Sequence, residues 1–460
     1  MVRIYFAGPY PPIMCGIAAY THYLTRVSPA GRWGVISFDP ERYEAPLTNE
    51  HIPRVAPVCY ALQGKRDFHS DDIRRGLEEL NAVSHDGVLW FQHETAIWRN
   101  QRKFISMIKN LDMPKVVTMH TLHFQSNETP TGLRSYQYSL LEKLLPHVDA
   151  ITVFSYGVYW AVISAFPEHC TKVYVLKHGV HNYPDVTRLS RQEAREELED
   201  FLIHASDLNQ TTKRRLRRRR IFSDPDVAII GQTGFLCPLK RSESLYAMRE
   251  NLQRMLPWKR IIAVRIGKPR DESHSIYAEK LKMGINDPDA FLLNTWLSDE
   301  MLATAQRAFD VNFYWPSECT QSGILAHALG AGGVIASRDL EGVGEALKGA
   351  GEMVDTDIDS LTTKIADLIA HPDMAVDLEE KALRYAHEFS WMNQVRRHYD
   401  LAEAVSAGTE LQQIPAADNQ VDPMVALVTG DPRINPRTHY PALRKLLEDI
   451  HRESNQRETV

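Results

Sequence analysis

The sequence predicts an α/β protein with two Rossmann-like domains that face each other across a cleft, followed by a C-terminal helical appendage. Short apolar runs alternate with helical stretches, as in parallel sheets that helices cover on both faces. The alternation breaks between about residues 183 and 226 and then restarts, and 460 residues exceed one ordinary core. We therefore predict an N-terminal domain at 1–183, a charged linker at 184–224, a second domain at 225–390, and a closing helix with the appendage at 391–460.

Composition and charge argue against several classes of protein. Hydrophobic residues make up 43% and charged residues 24% of the chain, which is typical of a globular protein and not of a disordered one. The formal charge of −6 argues against a nucleic-acid partner, because such proteins are usually basic. No apolar run is long enough to span a bilayer, and the first residues do not resemble a secretory signal. We expect a cytoplasmic protein.

The cysteines are scattered and include no C-x-x-C pair. This spacing predicts reduced thiols and no zinc site, and we expect neither a metal nor a cofactor. The five cysteines are Cys15, Cys59, Cys170, Cys237 and Cys319.

Ligands of open α/β sheets bind at the carboxyl ends of the strands, so candidate site residues are expected just after strands. The clearest predicted strands of the first domain are Val2–Ala7, Gly87–Gln92, Lys115–His120, Ala150–Phe154 and Lys172–Leu176. Those of the second domain are Val227–Gly231, Arg260–Ile266, Phe291–Asn294, Asp310–Tyr314 and Gly333–Ala336. Closing helices are predicted at Asp359–Ala370 and Met374–Phe389, and the appendage carries a further helix at Tyr440–Arg452.

The first candidate site is the strand–turn–helix at Gly8–Leu24. Gly16 stands at the turn, where a residue without a side chain lets a ligand approach, and the N–H groups that begin the helix can bind an anion. A turn that simply requires glycine explains the segment equally well. Neither G-K-[ST] nor G-x-G-x-x-G is present, so the segment predicts neither a P-loop nor a dinucleotide site.

Polar residues follow two predicted strands of the first domain. His93 and Glu94 follow one strand in WFQHETAIW, and His120 follows another in VVTMHTLH. A single histidine is more often structural than functional, but three such groups at adjacent strand ends favour a shared role. We therefore expect His93, Glu94 and His120 to point into the cleft.

The strongest candidate lies in the second domain, in the segment Tyr314–Ser337. An irregular loop carries Glu318, which is better explained as an acceptor for sugar hydroxyls than by packing. Ser322 and Gly323 then begin an apolar helix, and its unpaired N–H groups and dipole favour a phosphate. A capping role for the serine alone is the alternative. Lys240, after the first strand of this domain, can meet a diphosphate as a point charge, although a surface lysine is the commoner case.

Two further patterns favour structural roles. The D-x-D within Val354–Ser360 could bind a metal, but it lies next to a predicted helix start, which favours N-capping. The basic run Lys213–Arg220 could contact an anionic membrane surface, although a solvated linker helix is the more common case.

Six ordered segments between about residues 2 and 400 carry a family resemblance. They are Pro11–Ala18 (P-P-x-x-C-G-I-A), Gln92–Glu94 (Q-H-E), Val117–Thr121 (V-T-x-H-T), His178–Val180 (H-G-V), Gly234–Lys240 (G-[LF]-L-x-x-x-K) and Glu318–Gly332 (E-x-x-x-S-G-x-L-A-x-A-L-G-A-G). Together they resemble the retaining GT-B glycosyltransferases of family 4, the glycosyl transferases group 1, and a bacterial and archaeal branch in particular. Each segment is weak alone, and their order is specific.

The resemblance implies a role for each candidate that binds the donor. Gly16 would lie near the donor diphosphate, and Lys240 would neutralise the leaving phosphate. The backbone N–H groups of Ser322, Gly323 and Ile324 would cradle the same phosphate.

Two other candidates and two departures complete the comparison with the family pattern. Glu318 would hold donor-sugar hydroxyls as the first Glu of an E-x(7)-E pattern, and His120 would match a cleft histidine near the donor sugar. Ala326 stands where the second Glu is usual, and Phe235 stands where an arginine usually precedes the lysine. Arg241 then offers an alternative second cation.

The predicted function is that of a metal-independent retaining glycosyltransferase. Its donor would be a nucleotide sugar such as a UDP- or GDP-sugar, and its acceptor a glycan, a lipid-linked sugar or a small molecule. Two alternatives stay open: a nucleotide-sugar epimerase, which needs cleft carboxylates, and a degenerate GT-B protein that binds a glycan or partner without turnover. The sequence also leaves a homodimer open.

Overall fold

The structure is a computed structural model that describes residues 2–43, 46–47, 57–82, 87–219 and 221–409. It divides into two compact units. The first unit contains the residues up to His178 and those from Trp391 onward, and the second unit contains Gly179–Ser390.

A parallel seven-stranded sheet forms the centre of the first unit, in the order β3-β2-β1-β4-β5-β6-β7. The strands are β1 (Arg3–Ala7), β2 (Trp33–Phe38), β3 (Val58–Leu62), β4 (Gly87–His93), β5 (Lys115–Met119), β6 (Ala150–Val153) and β7 (Val173–Val175). The helices of this part are α1 (Gly16–Val27), α2 (Ser70–Glu79), α3 (Gln101–Lys109), α4 (Ser135–Leu144) and α5 (Tyr156–Ala165).

The second unit contains a parallel six-stranded sheet in the order β10-β9-β8-β11-β12-β13. Its elements are α6 (Pro184–Arg188), α7 (Arg191–Asp200), α8 (Gln210–Arg219), β8 (Val227–Thr233), α9 (Glu243–Met255), β9 (Arg260–Ile266), α10 (Glu272–Gly284), β10 (Ala290–Leu293), α11 (Asp299–Ala308), β11 (Val311–Tyr314), α12 (Gly323–Gly330), β12 (Ile335–Arg338), α13 (Glu341–Gly349), β13 (Met353–Asp355), α14 (Ile358–Ala370) and α15 (Met374–Glu388). The last described helix, α16 (Trp391–Ser406), belongs to the first unit.

The predicted α/β class with two parallel sheets is confirmed. Every strand named from the sequence is present, and Arg260–Ile266 has its predicted limits. The strands β2, β3 and β13 were not predicted. Glycine and serine interrupt the apolar run of β2, and β3 and β13 are partly exposed edge strands, so their apolar pattern is short.

The central strand β4 shows how the first sheet is buried on both faces. All seven of its residues are buried. Phe91 belongs to the core on one face and packs edge-on against Phe104 of α3. Trp90 belongs to the core on the other face, where His398 of α16 stacks on it with ring centroids 4.7 Å apart. The chain therefore returns at α16 to cover a face of the first sheet.

Residues 184–219 carry three helices that pack within the second unit. Leu198 of α7 and Leu216 of α8 are fully buried in one core with Ile229 and Val264 of the sheet. Because these apolar side chains lie in the core, this part of the predicted linker is a packed layer of the second unit.

Much of the basic run on α8 is used inside this unit. Lys213 donates from Nζ to the carbonyl of Ser206, and Arg219 pairs with Asp289 at 2.6 Å. Arg215 donates to the carbonyl of Ala290. The exposed arginines of α8 are Arg214, Arg215, Arg217 and Arg218, of which Arg214, Arg217 and Arg218 are left for the predicted membrane contact, and Arg220 lies outside the described residues.

The D-x-D has the structural role that its position favours. The Asp357 carboxylate accepts a hydrogen bond from the backbone N–H of Ser360 at 2.9 Å and caps α14. Asp355 pairs with Lys364 at 2.8 Å. The N-capping interpretation is confirmed.

The appendage is described only at its start. Residues 410–460, including the predicted helix Tyr440–Arg452, lie outside the described residues. Over the part of the chain that the structure describes, no helix is both long and apolar enough to cross a membrane.

The packing of β8 predicts the effect of a single methyl group. A Cβ added to Gly231 would lie 2.0 Å from the ring of Phe309, so we expect Gly231→Ala to lower the free energy of unfolding by about 1–3 kcal/mol or more through overpacking. Gly284→Ala at the end of α10 is the matched control, since no atom lies within 4 Å of the added Cβ. Urea midpoints measure both changes. Equal midpoints for the two variants would contradict the packing described here.

Candidate functional site

A glycine after β8 brings two predicted site residues together in the second unit. Gly234 has a φ of +96°, a conformation that L-residues rarely adopt. A Cβ at this position would lie 2.7 Å from Nζ of Lys240 and 2.8 Å from Cδ1 of Ile324. The ammonium and the first turn of α12 therefore both lie against the same backbone atom.

The start of α12 is open to a ligand. Ser322 is its N-cap, but the side chain makes no capping hydrogen bond, and Oγ contacts the Tyr314 hydroxyl at 3.5 Å instead. Gly323 is exposed, and no atom lies within 4 Å of an added Cβ. The N–H groups of Gly323 and Ile324 have no intrahelical partner because they belong to the first turn. These donors and the positive end of the helix dipole suit an anion.

Gln306 fixes this helix relative to the end of β8, and the sequence did not single it out. It is buried, and Nε2 donates to the Thr233 hydroxyl and to the carbonyl of Ile324, both at 3.0 Å. A polar residue at a buried position of a helix was the available signal. Gln306 therefore holds the first turn of α12 beside the loop Gly234–Lys240 that follows β8, the Gly234 loop.

Burial shifts the ionisation of Lys240. Desolvation and the neighbouring charge of Arg265 lower the pKa of Lys240 to about 8, and Cys237 and Cys319 oppose the shift. No carboxylate of the described residues is among the groups that shift it. At pH 7 the ammonium is still mostly protonated, so it can neutralise a phosphate.

The loop of Glu318 contacts the loop of Lys240. The backbone N–H of Ser317 donates to the carbonyl of Leu239 at 2.9 Å, and Glu318 follows as an exposed residue. Arg241 has a φ of +47°, and its half-exposed side chain lies 3.9 Å from Glu243. Arg241 is thus near the site but is partly neutralised by its neighbour.

The two departures from the family pattern occupy defined positions. Ala326 is buried on α12, and its carbonyl accepts a hydrogen bond from the backbone N–H of His181 at 3.5 Å. The ring of Phe235 packs against Trp296 with centroids 5.6 Å apart. The Phe235 carbonyl accepts a hydrogen bond from Arg265 at 2.8 Å, so a guanidinium reaches this position from β9.

Arg265 is the second residue that the sequence did not single out. It is fully buried on β9, and its guanidinium donates to carbonyls of the Gly234 loop. The signal was an arginine inside an otherwise apolar strand, RIIAVRI, which the apolar pattern concealed.

In the first unit, Gly16 begins α1 in the same open manner. The N-cap residue Cys15 makes no side-chain hydrogen bond to the helix, and Gly16 is exposed with no atom within 4 Å of an added Cβ. The first N–H groups of α1 are therefore also open to an acceptor.

His120 lies after β5 among aromatic rings. Its Nε2 lies 2.6 Å from Oε1 of Gln92, and its backbone N–H donates to the carbonyl of His93 at 3.0 Å. Tyr20 packs edge-on against the imidazole with centroids 4.9 Å apart, and Phe154 lies at 5.3 Å. Desolvation, with smaller contributions from neighbouring histidines, lowers the pKa of His120 well below its usual range. The imidazole is therefore neutral and acts through hydrogen bonds.

The structure buries the His93 ring on the core of the first unit, although its backbone carbonyl contacts His120. Its ring packs against Phe104 with centroids 4.8 Å apart, and burial lowers the pKa of His93 to about 3. His93 is therefore a buried residue of the first unit, and its place in the cleft stays a prediction. β4 extends to His93, and the two-residue period turns this side chain to the face opposite Gln92.

Glu94 begins the turn after β4. Its Oε1 accepts a hydrogen bond from the backbone N–H of Ala96 at 3.3 Å. The other oxygen, Oε2, is buried and has no hydrogen-bond partner among the described residues. Oε2 of Glu94 can therefore still accept a hydrogen bond.

Among the residues that the structure describes, no group of three His, Cys, Asp or Glu side chains could hold a metal ion.

Comparison with known proteins places the fold. No protein-family model matches the chain, and no curated protein matches it. Solved structures do match: a UDP-forming α,α-trehalose-phosphate synthase from Burkholderia xenovorans is 13% identical, with a TM-score of 0.60 over 90% of this chain and 100% of that chain. HepE from Anabaena, in complex with UDP and glucose, is 12% identical, with a TM-score of 0.56 over 87% of this chain and 99% of that chain.

A third similar structure is the N-terminal domain of trehalose-6-phosphate phosphatase from Candida albicans, at 11% identity and a TM-score of 0.56 over 87% of this chain and 96% of that chain. The chain thus has the GT-B fold, with two parallel Rossmann-like sheets. Its fold is similar to that of a UDP-forming synthase and of a protein solved with UDP and glucose.

The buried, neutral state of His93 predicts an acid-sensitive stability. The unfolded chain binds a proton at this residue below about pH 6.5, whereas the folded chain does not until about pH 3, so stability falls as the pH falls through this window. Between pH 6.5 and 5, wild type should lose about 2 kcal/mol more than His93→Gln. Urea unfolding at several pH values measures this, with His204→Gln at an exposed position as control. Identical pH dependences for wild type and His93→Gln would refute it.

The open start of α12 predicts a selective loss of anion binding. Gly323→Ala places a methyl group where an anion would approach the N–H groups and meets no protein atom within 4 Å. We expect unchanged thermal stability and about tenfold weaker binding of inorganic pyrophosphate, measured by calorimetry. Gly284→Ala, which is equally uncrowded, should bind as wild type does. Unaltered pyrophosphate affinity in Gly323→Ala would remove α12 from the site.

Proposed function

We propose that the protein is a retaining glycosyltransferase that moves a sugar from a nucleoside diphosphate sugar to an acceptor hydroxyl. One observation carries the proposal: the Lys240 ammonium and the uncapped first turn of α12 both pack against Gly234. A diphosphate that leaves during sugar transfer needs a fixed positive charge and backbone donors at the same point.

The GT-B fold supports this assignment, and the similar structures suggest where to begin. One of them is a UDP-forming synthase, and another was solved with UDP and glucose. A UDP-sugar is therefore the first donor to examine, with GDP- and ADP-sugars beside it. The ordered motifs further support membership of the family 4 branch, in which Glu318 would hold hydroxyls of the donor sugar.

The proposed chemistry needs no nucleophile from the protein. The bond between the anomeric carbon and the diphosphate oxygen breaks, and the acceptor oxygen forms a bond on the same face of the sugar. The proton of the acceptor hydroxyl passes to the leaving phosphate. Lys240 and the N–H groups of Gly323 and Ile324 stabilise the charge that develops on that phosphate.

The remaining candidates receive roles that their local geometry allows. His120 is neutral, so it would hydrogen-bond to a sugar hydroxyl and would not compete for the phosphate as a cation. The open start of α1 at Gly16 would leave room for an anionic group of a substrate. Glu94 would accept a hydrogen bond from a hydroxyl of the acceptor with its buried Oε2, which makes it the acceptor-side candidate of the first unit.

A degenerate binding protein is the second candidate function, and Ala326 is the observation that favours it. A buried methyl group at this position cannot hold a ribose as the usual glutamate does. Donor turnover decides between the two, because a binding protein would neither hydrolyse nor transfer the sugar. An epimerase would instead convert the donor without any acceptor.

Substitution of Lys240 tests the proposed function. With the donor that wild type turns over, we expect Lys240→Ala to lower the rate by roughly 10²–10³, because one electrostatic contact to the leaving phosphate is lost. Glu318→Ala should lower turnover as well. Product analysis of slow hydrolysis and of transfer measures both effects.

Lys280→Ala, at an exposed lysine of α10, is the matched control and should turn over as wild type does. Wild-type turnover in Lys240→Ala would overturn the assignment of the lysine. No binding of any nucleotide sugar by wild type would overturn the enzyme and leave the binding protein.

A further inference from the structure

Arg265 is a fully buried cation that forms no ion pair with a carboxylate of the described residues. It lies on β9, with none of its surface exposed to solvent. Burial lowers the pKa of Arg265 to about 10, so the guanidinium is still charged at neutral pH. A buried charge without a partner of opposite sign is costly, so a protein that keeps one usually uses it.

The guanidinium donates hydrogen bonds to groups of the Gly234 loop and to residues directly before and after it. Nη1 donates to the carbonyl of Gln232 at 3.2 Å and Nη2 to that of Phe235 at 2.8 Å, one on each side of Gly234. Nε donates to the hydroxyl of Ser242 at 2.9 Å, just after the loop ends. Arg265 therefore binds both the beginning and the end of the Gly234 loop from its position on β9.

A second set of hydrogen bonds ties Lys240 to the same network. The hydroxyl of Ser242 donates to Oε1 of Gln232 at 2.7 Å, and Nε2 of Gln232 donates to the carbonyl of Lys240 at 3.2 Å. All of these polar groups are buried or half-buried, so they exchange little with water. The position of the Lys240 ammonium over Gly234 thus depends on Arg265.

The two cations also add their charge at one place. The groups that shift the pKa of Lys240 are Arg265, Cys237 and Cys319, and those that shift the pKa of Arg265 are Tyr246, Cys237, Tyr277 and Tyr314. Thiols and phenols are neutral near pH 7, so none of these groups offsets the two positive charges. A diphosphate that binds over the loop would be attracted by both.

We propose that Arg265 is a positioning residue, which holds the Gly234–Lys240 loop by its carbonyls and adds a second positive charge beneath the phosphate-binding site. The inference rests on the proposed function for the identity of the anion, a diphosphate. It also accounts for Phe235, because a guanidinium from β9 reaches the carbonyl of that residue. We expect no contact between Arg265 and the donor, because none of the arginine surface is exposed.

The ionisation of Lys240 separates this role from a merely structural one. In Arg265→Gln the neutral amide can keep some hydrogen bonds, but the charge is gone. We expect the pKa of Lys240 to rise by about one from its value of about 8, since a charge on the order of 10 Å away in protein surroundings has that effect. Trace labelling of lysine amines with acetic anhydride across pH 6–11, read by mass spectrometry at Lys240, measures it without any donor.

Pyrophosphate binding gives the second readout. Calorimetry at pH 7 should show at least tenfold weaker binding of inorganic pyrophosphate to Arg265→Gln than to wild type, and Arg265→Lys should retain more of it. Arg249→Gln is the control, because Arg249 is a largely buried arginine of the same unit but pairs with Asp287 and donates to the carbonyl of Ile261, near the start of β9. An unchanged Lys240 pKa together with unchanged pyrophosphate affinity in Arg265→Gln would overturn the proposal.

A variant that fails to fold leaves the test intact. Arg265→Lys then carries it: the ammonium keeps the charge, so the pKa of Lys240 should stay near 8, and a return to the ordinary value of a lysine would overturn the proposal. The outcome is also distinguishable from failure of the proposed function. If the Lys240 pKa responds as expected but no nucleotide sugar is turned over, the role of Arg265 stands and the glycosyltransferase does not.

Discussion

The close approach of side chains to Gly234 is the constraint on which the candidate site depends. With a φ of +96° and no Cβ, this residue turns the chain directly after β8 and leaves room for Lys240 and Ile324. Gly267, directly after the neighbouring strand β9, must also lack a side chain, because a Cβ there would lie 1.9 Å from the carbonyl oxygen of Gly234. Two glycines at the ends of adjacent parallel strands thus allow backbone, ammonium and helix terminus to share one small volume. Any larger residue at either position would separate the groups that the proposed chemistry needs together.

The two buried positive charges at this site favour the binding of an anion but lower the stability of the fold. Burial lowers the pKa values of both Lys240 and Arg265, and the charge of Arg265 lowers the pKa of Lys240 further. The fold tolerates this because carbonyl oxygens of Gln232 and Phe235 and the hydroxyl of Ser242 solvate the guanidinium. Carbonyl dipoles satisfy hydrogen bonds without cancelling the charge, which carboxylates would do. The field is therefore available to an anion, and it is preorganised because the donors are already fixed.

The sequence predicted the fold better than it predicted the site. Apolar runs alternating with helices identify strands such as Arg260–Ile266, because burial on both faces leaves a continuous signal. Candidate site residues were chosen from the loops that follow strands, as Lys240 was from the loop after β8. The burial of His93 was not predicted, because β4 runs one residue further than its apolar pattern indicates and includes this histidine. Gln306 and Arg265 were missed because both are polar groups inside elements, and only tertiary contacts reveal which loop they support.

The starts of α1 and α12 show why a helix N-terminus alone does not define a phosphate site. Both helices begin with an exposed glycine and no capping side chain, so both offer free N–H groups. In the second unit the terminus lies beside an ammonium above a buried guanidinium. In the first unit, His120 follows β5, and burial keeps its imidazole neutral. The ammonium and the guanidinium beside the start of α12, and not the free N–H groups alone, therefore distinguish that helix start as the better candidate for a phosphate.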